Sequence, residues 1–180
     1  MRPLKYKLAT IESPAMNAAE TEDIAALARQ YGPTVFRAAW RILGTRAAAE
    51  DVQQQLFLRL IESPPKTVQS WPAYLTASAT RLAIDSLRRQ HRWRLLAPLW
   101  KSDEPVDSPA EDAERAEAAR FMRRALARLN PRDASCFVMR HFHGLAPAAI
   151  GAALGLSENH VSVAAHRARK ALEKLQQEQS

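Results

Sequence analysis

Apolar residues along this chain recur every three to four positions and nowhere settle into sustained alternation, which points to helices throughout and leaves no basis for a sheet. Ile24, Leu27, Ala28 and Tyr31, then Val35, Ala39, Ile42 and Leu43, mark a first stripe. Thr21 is placed to cap that helix, Gly32-Pro33 predicts a kink or break within it, and Gly44 ends it. Thr45 can cap a second helix with Val52, Leu56 and Leu60 on its apolar side and Phe57 and Ile61 beside them, until Ser63-Pro64-Pro65 stops it. Ser70 caps a third, in which Pro72 is tolerated because first-turn amides have no intrahelical partner. It runs to about Arg94, with Leu75, Leu82 and Leu87 on one side and Arg81, Asp85, Arg88, Arg89 and Arg92 crowding the other.

The distribution of charge divides the chain. The 180 residues carry 26 Lys and Arg against 19 Asp and Glu, a net charge of +7 that favours an anionic partner. Residues 81–101 are basic, with Asp85 their one acid, and residues 118–144 hold six arginines against Asp133. Between them the sign reverses: Asp103, Glu104, Asp107, Glu111, Asp112, Glu114 and Glu117 face Arg115 alone, with Pro105 and Pro109 among them. Such a segment repels itself and extends, so the reading is all-α, two small helical domains joined by an acidic flexible linker. The boundaries expected are a flexible N-terminus over 1–20, a first domain over 21–95, the linker over 96–110 and a second domain over 111–180.

In the second domain a helix from about Pro109 to Leu129 leads through Asn130-Pro131 to a short helix Asp133–His143. Pro147 starts another, Gly155 permits a sharp turn, Ser157 offers an N-cap, and a long helix follows from Glu158 to about Gln177. Ile150, Leu154, Leu156 and Val161 fall inward, so residues 147–168 predict a helix-turn-helix, a unit that lays its second helix in the major groove of DNA.

Other classes find little support. There is no nucleophile and base constellation, no Gly-rich phosphate loop and no paired-carboxylate cleft, so no enzyme, cofactor or small-molecule substrate is expected. Cys136, His141 and His143 lie close in sequence but match no common zinc spacing, and Cys136 in its Phe137-Val138-Met139 context reads as a small buried hydrophobe. A single cysteine and the absence of an apolar run near 20 residues favour a cytoplasmic protein, and Met1–Ala15 has no apolar segment of the secretory kind.

Ala49-Glu50-Asp51-Val52-Gln53-Gln54-Gln55-Leu56-Phe57-Leu58-Arg59 resembles the core-binding signature of the extracytoplasmic-function (ECF) sigma factors of bacterial RNA polymerase, with Gln55 where that family has Glu. Ala73 through Arg89 is similar to that family's helix for the minus-ten promoter element, with Tyr74 where Trp is frequent and Arg81 where Asn is frequent. The Ala73-Tyr74-Leu75 form is similar to the iron-starvation, siderophore-responsive branch. In the second half, Ala127–Arg132, Gly144-Leu145, Ile150–Ser157 and His166-Arg167-Ala168-Arg169-Lys170-Ala171-Leu172 resemble the domain that binds the minus-thirty-five element. Lys and Arg that members place near Ser162 and Ala164 are missing, which implies weaker or differently tuned binding there.

The resemblance implies core RNA polymerase and promoter DNA as partners, an anti-sigma factor that can be membrane-anchored, and a chain that is monomeric when free. It places polymerase binding at about 49–62, on Glu50, Asp51, Gln54, Gln55, Phe57 and Leu58. Minus-ten recognition and melting fall at about 61–94, on Trp71, Tyr74, Arg81, Asp85, Arg88, Arg89 and Arg92. Trp71 and Tyr74 suit core packing and base contact equally, whereas the arginines suit phosphate. Minus-thirty-five contact is expected from Ser157, Glu158, Asn159, His160, Ser162, Val163, His166, Arg167 and Arg169, the first two turns facing base edges and Arg167 and Arg169 the backbone. Two other readings stay open: a helix-turn-helix regulator that acts as a dimer without polymerase, and a sigma-like module that mainly binds an anti-sigma partner. The acidic run is either a plain tether or a segment that folds over the basic surfaces.

Overall fold

The computed structural model describes residues 18–96 and 113–178, which form seven helices and no strand. The segments expected as N-terminal tail and linker therefore fall almost wholly outside the described residues. The first helix, α1 (Ala18–Leu43), is continuous through Gly32-Pro33 instead of breaking there, and it begins before Thr21, which lies inside it. Proline in a helix interior costs on the order of 3 kcal/mol. Here the apolar stripe holds on both sides of it: Ile24 precedes Pro33, Val35, Ala38, Ala39, Ile42 and Leu43 follow, and all are buried. Gly44, at φ +75°, ends the helix in the left-handed region.

Helix α2 (Arg46–Glu62) buries Ala49, Val52, Leu56 and Leu60. Thr45 holds the N-cap position without a side-chain cap bond, and the first turn is closed instead by an Arg46–Glu50 ion pair at 2.8 Å. Helix α3 (Trp71–Leu96) opens with Ser70 Oγ accepting from the Ala73 amide at 3.5 Å. It packs against both α1 and α2.

Helix α4 (Ala113–Arg128) leads to α5 (Pro131–His141), which starts two residues earlier than the sequence predicts. The Asn130 side chain accepts from the Arg132 amide at 3.0 Å and Pro131 takes the first helical position, where its missing N–H costs nothing. Helices α6 (Pro147–Leu154) and α7 (Glu158–Gln177) form the expected helix-turn-helix. Its turn depends on two glycines. Gly155 sits at φ +66°, and the Gly151 carbonyl receives the amides of both Gly155 and Leu156. A Cβ on Gly151 would stand 2.5 Å from the Leu156 carbonyl oxygen, so only glycine admits this close approach.

The two helical units share a core. One cluster of buried side chains runs from Val35, Ile42, Leu56 and Ile84 in the first half to Leu126, Leu129, Val138 and Leu172 in the second. A second cluster, the core of the helix-turn-helix, gathers Cys136, Met139, Ile150, Val161, Ala164 and Ala165 around Ala77 of α3. Helix α3 is thus buried on two sides, by α1 and α2 and by α4, α5 and α6.

Candidate nucleic-acid interface

Three surfaces carry the residues that the sequence singles out. The first is the outward side of α2. Asp51 and Gln54 are exposed, Leu58 is 56% exposed and Ile61 39%, and these four follow one another at three and four residues along one helical face. Glu50 and Gln55 are half-buried, Glu50 in its pair with Arg46, and Phe57 packs against the core instead of standing outward. Ile61 completes the patch and was missed, because its place on the heptad reads equally as core.

The second surface lies where the end of α2 meets α3. A cavity of about 340 Å³ is lined by Arg59, Glu62 and Ser63 on one side and by Tyr74, Ser78, Arg81 and Asp85 on the other, over a floor of Leu56, Leu60 and Leu82. Its rim thus carries two guanidiniums, two carboxyl groups, a phenol and two hydroxyls, able to donate to and accept from a heterocyclic base while the floor meets its face. Trp71 and Tyr74 contact each other edge to face, ring centroids 5.9 Å apart, and both are half-buried against the core. Tyr74 reaches the cavity and Trp71 stands behind it as packing. Arg81, Asp85, Arg89 and Arg92 are exposed along α3 and Arg88 is half-buried. The same helix ends on Trp93, 70% exposed between Arg92 and Arg94, which sequence reading passed over as part of the helix tail.

The third surface is the helix-turn-helix. Ser157 caps α7 by accepting from the His160 amide at 3.3 Å, and its hydroxyl also lies 2.9 Å from His160 Nδ1. Glu158, Asn159, His160, Val163, His166 and Arg169 are exposed on α7, Ser162 is half-buried, and Val161 and Leu172 are buried as core. Arg167 is different. Its guanidinium makes two bonds to the Asp133 carboxylate of α5, at 2.8 and 3.0 Å, which fix α7 on α5. From the same helix Arg140 donates to Ser162 Oγ at 3.4 Å. Arg140, His141, Ser162, Ala165, His166 and Arg169 line a shallow groove of about 290 Å³ with no acid among them. Arg140 and His141 escaped sequence reading because they reach this surface from another helix.

The three residues weighed for a metal do not converge. Cys136 is enclosed in the core, where burial pushes its thiol pKa up, and His141 stacks on Phe137 at 4.8 Å. His143 is half-buried with its Nε2 enclosed and lacking a partner, and burial together with the Arg41 charge lowers its pKa to about 4. No described helix is long and apolar enough to cross a membrane.

Comparison with known proteins gives the family. The family described as Sigma-70 region 2 matches residues 27–93, and Sigma-70, region 4 matches residues 122–172. The ECF RNA polymerase sigma factor SigE of Mycolicibacterium smegmatis is 31% identical over 153 residues, 81% of this chain and 58% of that protein. SigL of Mycobacterium tuberculosis is 30% identical over 159 residues, 86% of this chain and 89% of that protein. The crystal structure of the M. tuberculosis extracytoplasmic function sigma factor SigJ matches with a TM-score of 0.48 at 26% identity, over 85% of this chain and 53% of that one. The chain spans 58% of the length of SigE and 45% of that of SigJ where their sequences align. With both regions in order, and with SigL matched over most of its length, the chain belongs to the ECF RNA polymerase sigma factors.

Proposed function

We propose that this chain directs promoter-specific transcription initiation: it binds core RNA polymerase through α2, recognises and melts the minus-ten element with α3, and binds the minus-thirty-five element with α7. The observation that carries the reading is the solvent-facing Asp51, Gln54, Leu58 and Ile61 patch on the helix that leads directly into the base-sized cavity at Tyr74, Arg81 and Asp85. Exposed apolar residues rimmed by polar ones mark a protein partner, and this patch lies on the segment that resembles the family's core-binding signature. Polymerase supplies the catalysis, so the chain itself needs no cofactor, and its work lies in the cytoplasm.

Phosphate contact on α3 falls to Arg89 and Arg92, which are free of the cavity, while Tyr74, Ser78, Arg81 and Asp85 receive an extruded base. On the helix-turn-helix, Glu158, Asn159, His160 and Val163 face base edges, and Arg140 with Arg169 takes the backbone. Arg140 supplies from α5 one cation near Ser162, which supports DNA contact there over a module that mainly binds an anti-sigma partner. An anti-sigma partner, and the iron-starvation branch suggested by Ala73-Tyr74-Leu75, are finer forms of the same proposal. Iron-limited cells, with and without the gene, would show the branch in the transcripts they make.

Leu58→Asp and Ile61→Asp test the reading directly. Either change should reduce co-purification with core polymerase at least tenfold while the helical circular dichroism and the affinity for minus-thirty-five duplex stay as they were. Undiminished binding to core would place the polymerase contact elsewhere and sink the assignment.

A further inference from the structure

Among the described residues the large apolar side chains that stand exposed are Trp40, Leu58, Ile61, Trp93, Leu95 and Val163. The surfaces assigned above take up Leu58 and Ile61 on α2 and Val163 on α7. Trp40 stands apart on α1, and a lone apolar side chain on a surface needs no partner. Trp93 and Leu95 are left. They are the most open of the set, at 70% and 68%, and they lie two residues apart in the last turn of α3.

Their setting is cationic. From Ser86 to its end α3 holds Arg88, Arg89, Arg92 and Arg94 and no acid. With about 100° of turn per residue, Arg81, Asp85, Arg88, Arg92 and Leu95 share an arc of about 80° around the helix, and Arg89 lies beside Trp93 at its edge. Arg92 thus has an apolar side chain on either flank, and Arg89 stands one turn before Trp93, both arginines being exposed. An apolar pair set among cations suits a partner that carries a flat apolar face next to a negative charge. A nucleotide has that form, base beside phosphate, whereas an acidic peptide brings the charge without the face.

We infer that Trp93 is a stacking platform for an unpaired base of the opened promoter strand, with Arg89 and Arg92 on the phosphates beside that base and Leu95 against its sugar. This is a second hold on the strand, separate from the cavity at Tyr74, Arg81 and Asp85, and it rests on the function proposed above. Trp93 follows Arg81 by twelve residues, roughly 18 Å along the helix axis. A stacked strand advances about 3.4 Å per nucleotide, so the two holds are about five nucleotides apart. They differ in kind. The cavity meets a base at its edges, where donors and acceptors distinguish one base from another, while an indole meets a base on its face, which every base presents. The contact at Trp93 therefore keeps the strand from re-pairing and adds no sequence preference of its own.

Holoenzyme assembled from core polymerase and this chain tests the inference on a promoter that it transcribes from a randomised library, with the minus-ten segment opened beforehand by mismatches. Trp93→Ala should weaken binding to that template about tenfold and leave the slope of log affinity against log salt unchanged, because stacking releases no counterions. Trp93→Phe should keep most of the affinity, since its ring still offers a face. Arg92→Ala should instead lower the salt slope by about 0.7, the value for one phosphate on a single strand. A fluorescent adenine analogue, whose emission stacking quenches, is then placed at each position of the opened strand in turn. One position, about five nucleotides from the base held in the cavity, should brighten with Trp93→Ala and stay dark with Arg92→Ala. Trp93 is exposed, so the helical circular dichroism and the association with core should be those of the unmodified chain. Undiminished binding by Trp93→Ala, no position that brightens, or a loss of association with core in place of the DNA effect would each overturn the inference. Failure of the unmodified holoenzyme to transcribe any promoter overturns the proposed function instead.

Discussion

Arg140 belongs by sequence to the helix before the helix-turn-helix, yet its guanidinium reaches Ser162 on α7. If it neutralises one phosphate there, Arg140→Ala should weaken minus-thirty-five duplex binding about tenfold and lower the slope of log affinity against log salt by about one, with no base preference changed. An unaltered salt slope would assign Arg140 to packing. Arg167 is the converse case: chosen from sequence as a backbone contact, it is engaged by the Asp133 carboxylate. Arg167 is exposed to solvent, which screens the pair, so its contribution to stability is small. Its role is orientation, and Asp133→Ala and Arg167→Ala should therefore weaken duplex binding alike, with the double variant no worse than either. Additive losses in that cycle would restore Arg167 as a direct phosphate contact. At the turn, Gly151→Ala sets a Cβ against the Leu156 carbonyl and should destabilise the chain by about 1–3 kcal/mol in urea unfolding.

Element by element, what was legible follows from which residues act locally. Gly44, Gly155 and Ser157 do their work within one turn of where they stand, and each appears as a helix end or cap in the place expected, whereas Asn130-Pro131 starts α5 two residues ahead of the expected Asp133. Pro33 misled because a proline signal is also local, whereas α1 is held by the buried side chains on both sides of it. Ala73 and Ala77 left no trace in the apolar periodicity, since alanine is common on every face of this chain, and so the second buried side of α3 could not be foreseen. The contact between α1 and the end of α5 was equally invisible, being made by residues 101 apart in sequence. It has a consequence for pH. His143 titrates at about 4 in the folded chain and 6.5 unfolded, so the unfolded state binds more protons between those values. Stability should be full above about pH 6.5, fall as pH drops toward 4, and level off below it. His143→Gln should abolish that slope in thermal unfolding; a slope that persists would place its origin in other groups.

For the whole molecule, the sequence separates two helical units across an acidic run, and the matches to sigma region 2 and region 4 fall on those same units. Continuous burial from Val35 to Leu172 then joins them around α3. Function on this account is a division of labour: α2 meets polymerase, α3 meets the opened strand, and α7 meets the duplex upstream. Each surface alone suits several kinds of protein, and only their combined action on one template distinguishes a sigma factor from a repressor or an anti-sigma sink. The most direct measurement is run-off transcription with purified core polymerase, this chain and a library of randomised promoters. The account predicts transcripts that depend on the chain and start from templates enriched in two separated elements. Binding to duplex DNA with no transcript and no association with core would contradict it.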